Sequence, residues 1–362
     1  MDRRNFIYCA SMASAASVLP FSGVSADSQG KSETKEAEKG SQRLSVSQLQ
    51  AWEALGYGMF IHFGISTMDG KENLRGDMPS ARYAPPNLDV EQWIRTARDA
   101  GMKYAVLTAK HASGHCLWQS KYTDYHIGTS GNKTDVIEAF VKACAKYGIM
   151  PGLYYCSEDE HHVMGSETPL HVGWNNLYTT EEYRQFQWNQ LEELLTQYGK
   201  IGEVWIDIPS ALPRDYREKL YKQMARWQPE AILIANAGSE PSILEDRYIQ
   251  HGWPSDVMTY EMFLPKSAIN NWRTMQITPL KPAKTHYRKY YLPVEVCYPI
   301  GYSWFHTSDT VRSDEELLKL YSTIRSRGAN FLLDVPPDKT GKIPAAFVNA
   351  LMRLQHNVSL IK

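Results

Sequence analysis

The chain has 362 residues, with 39 Lys and Arg against 40 Asp and Glu, a formal net charge of −1. That length suits one (β/α)8 barrel of roughly 250–400 residues or two smaller domains. The balanced charge leaves no broad basic field, so nucleic acid is not an expected partner. The first 26 residues open with Arg3-Arg4, continue through a small-residue apolar stretch and end at Ser25-Ala26. This pattern predicts an export signal peptide, of the twin-arginine kind, and hence a periplasmic location. The stretch is too short and too interrupted for a transmembrane helix. Residues 27–44 are polar, charged and free of aromatic side chains, which predicts a disordered linker. The segment 45–362 is then the catalytic domain.

From there apolar runs alternate with helical periodicity. Gly58–Gly64 reads as the first strand. Leu88–Gly101 reads as a helix, with Asp89 as its cap and Gly101 as its stop. Lys103–His111 is strand two. A second helix follows, with Val136, Ile137, Phe140, Val141, Cys144 and Tyr147 on one face. Ile149–Tyr155 is strand three, and a His-rich excursion from Ser157 to Thr179 occupies the loop after it. The stripe Tyr183, Phe186, Gln190, Leu191, Leu194 and Tyr198 marks a third helix. Gly202–Asp207 and Ala231–Asn236 are strands four and five, the fifth apolar throughout, as a strand covered on both faces should be. Asp256–Glu261 and Val294–Tyr298 are weaker candidates for six and seven. A helix carrying Leu317, Leu318, Tyr321 and Ile324 precedes the last strand, Asn330–Val335. Strands alternating with helices predict a parallel sheet closed by crossovers, an α/β fold of the (β/α)8 TIM type. No second domain is visible after residue 340, and no C-terminal β-sandwich.

In such a barrel the site is built at the C-terminal strand ends. The eight runs finish at or near His62, His111, Tyr154, Asp207, Asn236, Glu261, Glu295 and Asp334. Asp207 closes an apolar strand after Trp205-Ile206, a costly place for a carboxylate unless it is paired or hydrogen-bonded. It is therefore a candidate nucleophile or base, or else a structural ion pair or helix cap. Glycosidic chemistry needs a second carboxyl that carries a proton. Glu261 and Glu295 are both expected to end later strands, and a loop glutamate such as Glu240 stays open. His62 and His111 end neighbouring strands, where imidazoles can hydrogen-bond sugar hydroxyls in either direction. Ten Trp and 22 Tyr fill a core and can also stack on sugar faces. His161, His162 and His171 form a loop tract without carboxylates at ligand spacing, so no metal or other cofactor is expected. Of the five cysteines, Cys9, Cys116, Cys144, Cys156 and Cys297, none makes a C-x-x-C, and the last four read as buried thiols with one disulfide open.

Several stretches, in this order, resemble the α-L-fucosidases of glycoside hydrolase family 29. They are Gly58–Gly64, Ala100–His111, Leu117–Tyr125, Lys146–Tyr155, Tyr198–Asp207 and Arg327–Asp338. The likeness runs from about residue 45 to 340. It implies a distorted barrel and a retaining exo-glycosidase acting on an oligosaccharide or glycoconjugate. Asp207 falls on the family's nucleophile, with Glu261 preferred over Glu295 as acid/base. His62 and His111 fall on sugar-binding histidines, Tyr154 or Tyr155 on the tyrosine of the Tyr-Tyr-Ser motif, and Trp304 on the aromatic against the fucose methyl. Trp118, Asn236 and His115 complete the expected substrate-binding set; His111-Ala-Ser-Gly-His115 departs from the family's His-His pair, so one sugar-binding imidazole is either missing or supplied by His115. Ile208-Pro209 replaces the glycine after the nucleophile, and the arginine often found after strand five is absent. These departures leave open an α-L-galactosidase on the same scaffold, or a non-catalytic glycan-binding protein.

Overall fold

The computed structural model describes residues 40–72, 75–163, 179–236, 251–276 and 287–361. The expected signal peptide, Cys9, His171 and Glu240 lie outside the described residues, as does all but the end of the expected linker. The fold begins before residue 45. The Arg43 guanidinium pairs with Asp256 at 2.6 Å, and Leu44 is buried.

Eight strands form one sheet: β1 (Tyr57–Ile61), β2 (Tyr104–Lys110), β3 (Met150–Cys156), β4 (Glu203–Asp207), β5 (Ile232–Ala235), β6 (Met258–Glu261), β9 (Val294–Pro299) and β10 (Asn330–Asp334). Their order is β5-β4-β3-β2-β1-β10-β9-β6, and every pairing is parallel. This is a nearly closed (β/α)8-type barrel. Among the described residues β5 and β6 share no ladder; side chains and turns span the seam instead. The Asp256 N–H donates to Leu233 O at 2.7 Å, the Leu233 N–H donates to Asp256 Oδ2 at 2.9 Å, and the Ala235 N–H to Ser255 Oγ at 3.1 Å. An antiparallel hairpin, β7 (Trp272–Gln276) with β8 (Tyr287–Tyr291), is inserted before β9. The alternation of strand and helix did not predict it.

Successive side chains on each strand point to opposite faces, and here they split into two cores. Met59, Ile61, Ala105, Leu107, Tyr155, Phe331 and Leu333 pack outward under the helices. Phe60, Tyr104, Val106, Tyr154, Trp205, Cys297 and Leu332 pack inside the barrel. β2 is buried along its whole length. A Cβ at Gly58 would lie 2.5 Å from the Tyr104 ring, so only glycine lets that tyrosine lean across the barrel. Helices at Val90–Asp99, Val136–Tyr147 and Asp314–Ser326 start on Asp89, Asp135 and Ser313, whose side chains accept main-chain N–H groups. Three further helices, Glu181–Gln197, Arg214–Trp227 and Ala345–Leu360, belong to the outer layer. No described helix is long and apolar enough to cross a membrane. Cys116, Cys144, Cys156 and Cys297 are free and buried, so the open disulfide does not form among them.

Candidate active site

A cavity of about 270 Å³ opens at the C-terminal strand ends. Its lining includes His62, His111, Tyr154, Asp207, Asn236, Glu261 and Trp304, which come from different strands and from the loop after β9.

Asp207, the last residue of β4, has both carboxylate oxygens engaged. The Tyr154 hydroxyl donates to Oδ2 at 2.6 Å, and the Asn236 amide donates to Oδ1 at 2.9 Å. The same Asn236 Nδ2 donates to Glu261 Oε2 at 3.0 Å. Thr259 donates to Asn236 Oδ1 at 2.7 Å, which fixes the amide so that its NH2 faces the two carboxyl groups. Two acceptors on one nitrogen lie within about 6 Å of each other. That is near the spacing of about 5–5.5 Å used for double displacement and below the roughly 6.5–9.5 Å of inverting enzymes.

Burial, reinforced by the Asp207 charge, pushes the Glu261 carboxyl up to about 7, although Asn236 opposes the shift. Glu261 is therefore about half protonated at neutral pH and fully so in mild acid, beside a second carboxyl. Both carboxyl-bearing residues are followed by strained backbone. Ile208 sits at φ 47° and Met262 at φ 58°, in the left-handed region that non-glycine side chains avoid. At Ile208 this explains why the resemblance puts glycine there.

The imidazoles of His62 and His111 lie with ring centroids 5.6 Å apart. Burial lowers their pKa values to about 4 and about 3, with each other's proximity adding to the effect at His111. Both are neutral at pH 7. His111 stacks on Tyr154 at 5.6 Å, and Trp304 lies 5.3 Å from His62. The cavity is a pocket of neutral hydrogen-bonding rings, apolar faces and a carboxyl pair, which suits an uncharged polyhydroxylated ring.

Four expected site residues lie elsewhere. Glu295 is the second residue of β9, not its last, so its carboxyl sits deep in the barrel. There it accepts from Trp205 Nε1 at 2.9 Å and Tyr104 at 2.6 Å, and it does not reach the cavity. Tyr155 points outward by strand parity and donates to Gln190 at 2.8 Å; Tyr154 is the one that faces Asp207. His115 is buried against Ser130 and Ser80, at 2.9 and 3.2 Å. Trp118 is buried and donates to Glu193 at 2.9 Å. His161 stacks on Tyr125 at 3.8 Å, and His162 faces Asp159 at 3.0 Å. Among the described residues no group of three or more His, Cys, Asp or Glu is arranged to hold a metal ion.

Two lining carboxyls escaped sequence reasoning. Glu158 follows β3 by two residues and is pushed up to about 7 by burial, with Glu160 and Asp207 contributing. The end of β3 could have flagged it. Glu72 arrives on a loop after a short helix (Ile65–Asp69), where no periodic signal exists.

The family model for alpha-L-fucosidase matches residues 79–358. The chain belongs to the α-L-fucosidase family. Among its curated relatives, α-L-fucosidase 1 of Arabidopsis thaliana is 29% identical over 85% of this chain and 59% of that protein. The chain thus spans less than two thirds of that relative's length. The crystal structure of a glycoside hydrolase family 29 member from an unknown rumen bacterium superposes with a TM-score of 0.70. It is 24% identical, covering 86% of this chain and 56% of that one. The α-L-fucosidase AlfC of Lactobacillus casei, in complex with α-L-fucose product, gives 0.65 at 21% identity over 87% of this chain and 99% of that one. At these identities both structures speak for the fucosidase fold, with its barrel as seen here.

Proposed function

We propose that the chain is a retaining exo-α-L-fucosidase that removes terminal α-L-fucose from glycans. Family membership supports the reaction class. The observation that carries the reading is the Asp207–Asn236–Glu261 bridge at the cavity floor. In the first step an Asp207 oxygen bonds to the anomeric carbon as the glycosidic bond breaks and Glu261 gives its proton to the leaving oxygen. In the second, Glu261 takes a proton from water, whose oxygen displaces Asp207 with net retention. Tyr154 and Asn236 hold the nucleophile, and Trp304 offers an apolar face to the sugar methyl.

A screen of aryl glycosides with wild type and Asp207→Asn tests this. The expected outcome is turnover of aryl α-L-fucoside, lost by at least about a thousandfold in the variant with the melting temperature unchanged. Full activity in Asp207→Asn overturns the assignment. Preference for aryl α-L-galactoside shifts the specificity, and sugar binding without turnover by wild type reduces the chain to a lectin-like protein. Export to the periplasm is part of the same proposal, supported by Arg3-Arg4 and the apolar stretch after them. Cell fractionation with N-terminal sequencing checks it, the mature chain starting near Asp27.

A further inference from the structure

We propose that Asp334 is a positioning residue that locks His62 in its Nδ1–H form and leaves Nε2 as an acceptor for one hydroxyl of the bound sugar. Asp334 ends β10, the strand beside β1, and its side chain is fully buried beneath the cavity. Its Oδ1 lies 2.8 Å from His62 Nδ1 and also accepts the His62 main-chain N–H at 3.2 Å. So long as Oδ1 itself carries no proton, an oxygen that accepts the main-chain N–H can only accept from the ring as well, which makes Nδ1 the donor. This holds whether the carboxyl is ionised or carries its proton on Oδ2, which has no hydrogen-bond partner among the described residues.

Because Asp334 is reached by both main-chain and ring atoms of the same residue, the imidazole is fixed in position as well as in tautomer. Phe60, Phe305 and Trp304 pack around the ring at centroid distances of 4.6, 5.4 and 5.3 Å and block its rotation. Nε2 makes no hydrogen bond to the described residues, and His62 lines the cavity. A neutral imidazole so held has one lone pair to offer. Its complement is a hydroxyl that donates, and a sugar that presents only an acceptor there binds worse. Lowered basicity keeps this lone pair unprotonated in ordinary buffers. The identity of the sugar rests on the fucosidase reading; the tautomer does not.

The test has two arms on the full chain. In the first, ¹⁵N-histidine-labelled wild type is examined by long-range ¹H–¹⁵N NMR, with the His62 signals assigned from a His62→Gln variant. The expected signature is Nδ1 protonated and Nε2 bare at pH 7. The reverse tautomer in wild type overturns the proposal, and no variant need fold for that result. Asp334→Leu should mix the two forms, since no acceptor then faces Nδ1; an unmixed Nδ1–H form in that variant argues against Asp334 as the lock. In the second arm, kcat/KM is measured for aryl α-L-fucoside and its monodeoxy analogues. Asp334→Leu should lower the parent value about tenfold, the size of one hydrogen bond, and leave one deoxy analogue unaffected. Equal losses on every analogue indicate a merely structural role and overturn the proposal. An Nδ1–H His62 in a protein inactive on fucosides refutes the fucosidase reading and leaves the tautomer lock standing.

Discussion

Glu261 has a carboxyl pushed up to about 7 by burial and by Asp207, and a proton donor works only below its pKa. The fucosidase reading therefore predicts that kcat stays on a plateau at mildly acidic pH and falls as pH rises through about 7. A pH–rate profile on a poorly activated fucoside measures it, and a plateau persisting to pH 9 contradicts the assignment. Glu261→Gln should flatten that limb along with most of the rate, and Glu261→Ala should regain turnover of an activated aryl fucoside when azide is added. Residues of this kind were legible because each ends or directly follows a strand: Asp207 closes β4, Glu261 closes β6 and His62 comes straight after β1, and Asp207 shares with Trp205 the parity that points into the barrel. The same period-two rule selects Tyr154 over Tyr155, a choice the apolar run alone left open. Glu295 was misplaced for a concrete reason. Its strand reads as Val294–Tyr298 in the sequence, yet the glutamate is classed there with the strand-end residues, whereas it is the second residue of β9 and sits at the bottom.

At the scale of elements, the end of β2 and the loop after β3 are locked together by charge. Lys110 Nζ lies 2.6 Å from Asp159 Oδ2, both side chains fully buried, and also donates to the Tyr183 hydroxyl at 3.1 Å. Burial alone would raise the Asp159 carboxyl, but Lys110 and His162 outweigh it and hold it well below the usual carboxylate range. Glu158, the residue before Asp159, is held at the cavity by this anchor. Breaking one partner of a buried pair leaves an uncompensated charge, at a cost of roughly 3–5 kcal/mol. Asp159→Asn should therefore lower stability by about that much in denaturant titration. It should also open the loop to limited proteolysis. Lys110→Met combined with Asp159→Leu should recover most of the stability, because the stranded charge is gone. Equal destabilisation by the single and double variants rules the anchor out. The helices and parallel strands were visible as periodic patterns with capping residues. The β7–β8 hairpin was not, because it packs as an excursion outside the alternation and its sequence carries no turn dipeptide next to an alternating run.

The barrel as a whole encloses a second acidic pair below the cavity. Glu203 accepts from Trp52 Nε1 at 2.8 Å, and Glu295 is held by Trp205 and Tyr104. Burial is the main reason that Glu295 is pushed up to about 7. Glu203 is raised well above the carboxylate range by burial and by the Glu295 charge. Two carboxyls in one dry interior cannot both ionise cheaply, so the folded barrel keeps protons that the unfolded chain gives up. The sign follows from linkage. With the folded pKa above the unfolded one, the stabilisation is complete below about pH 4.5 and disappears as pH rises through about 7. For Glu295 alone the loss is on the order of 3 kcal/mol across that window. Glutamine at this position keeps an oxygen for Trp205 and offers its NH2 to the Tyr104 oxygen, while removing the titration. Glu295→Gln should therefore match wild type near pH 5, exceed it in stability at pH 8, and retain hydrolysis because it does not line the cavity. Chemical denaturation at both pH values, with activity assayed in parallel, decides the matter. A variant that keeps the wild-type pH slope would move the proton uptake elsewhere, and one that folds normally but loses turnover would return Glu295 to the catalytic machinery.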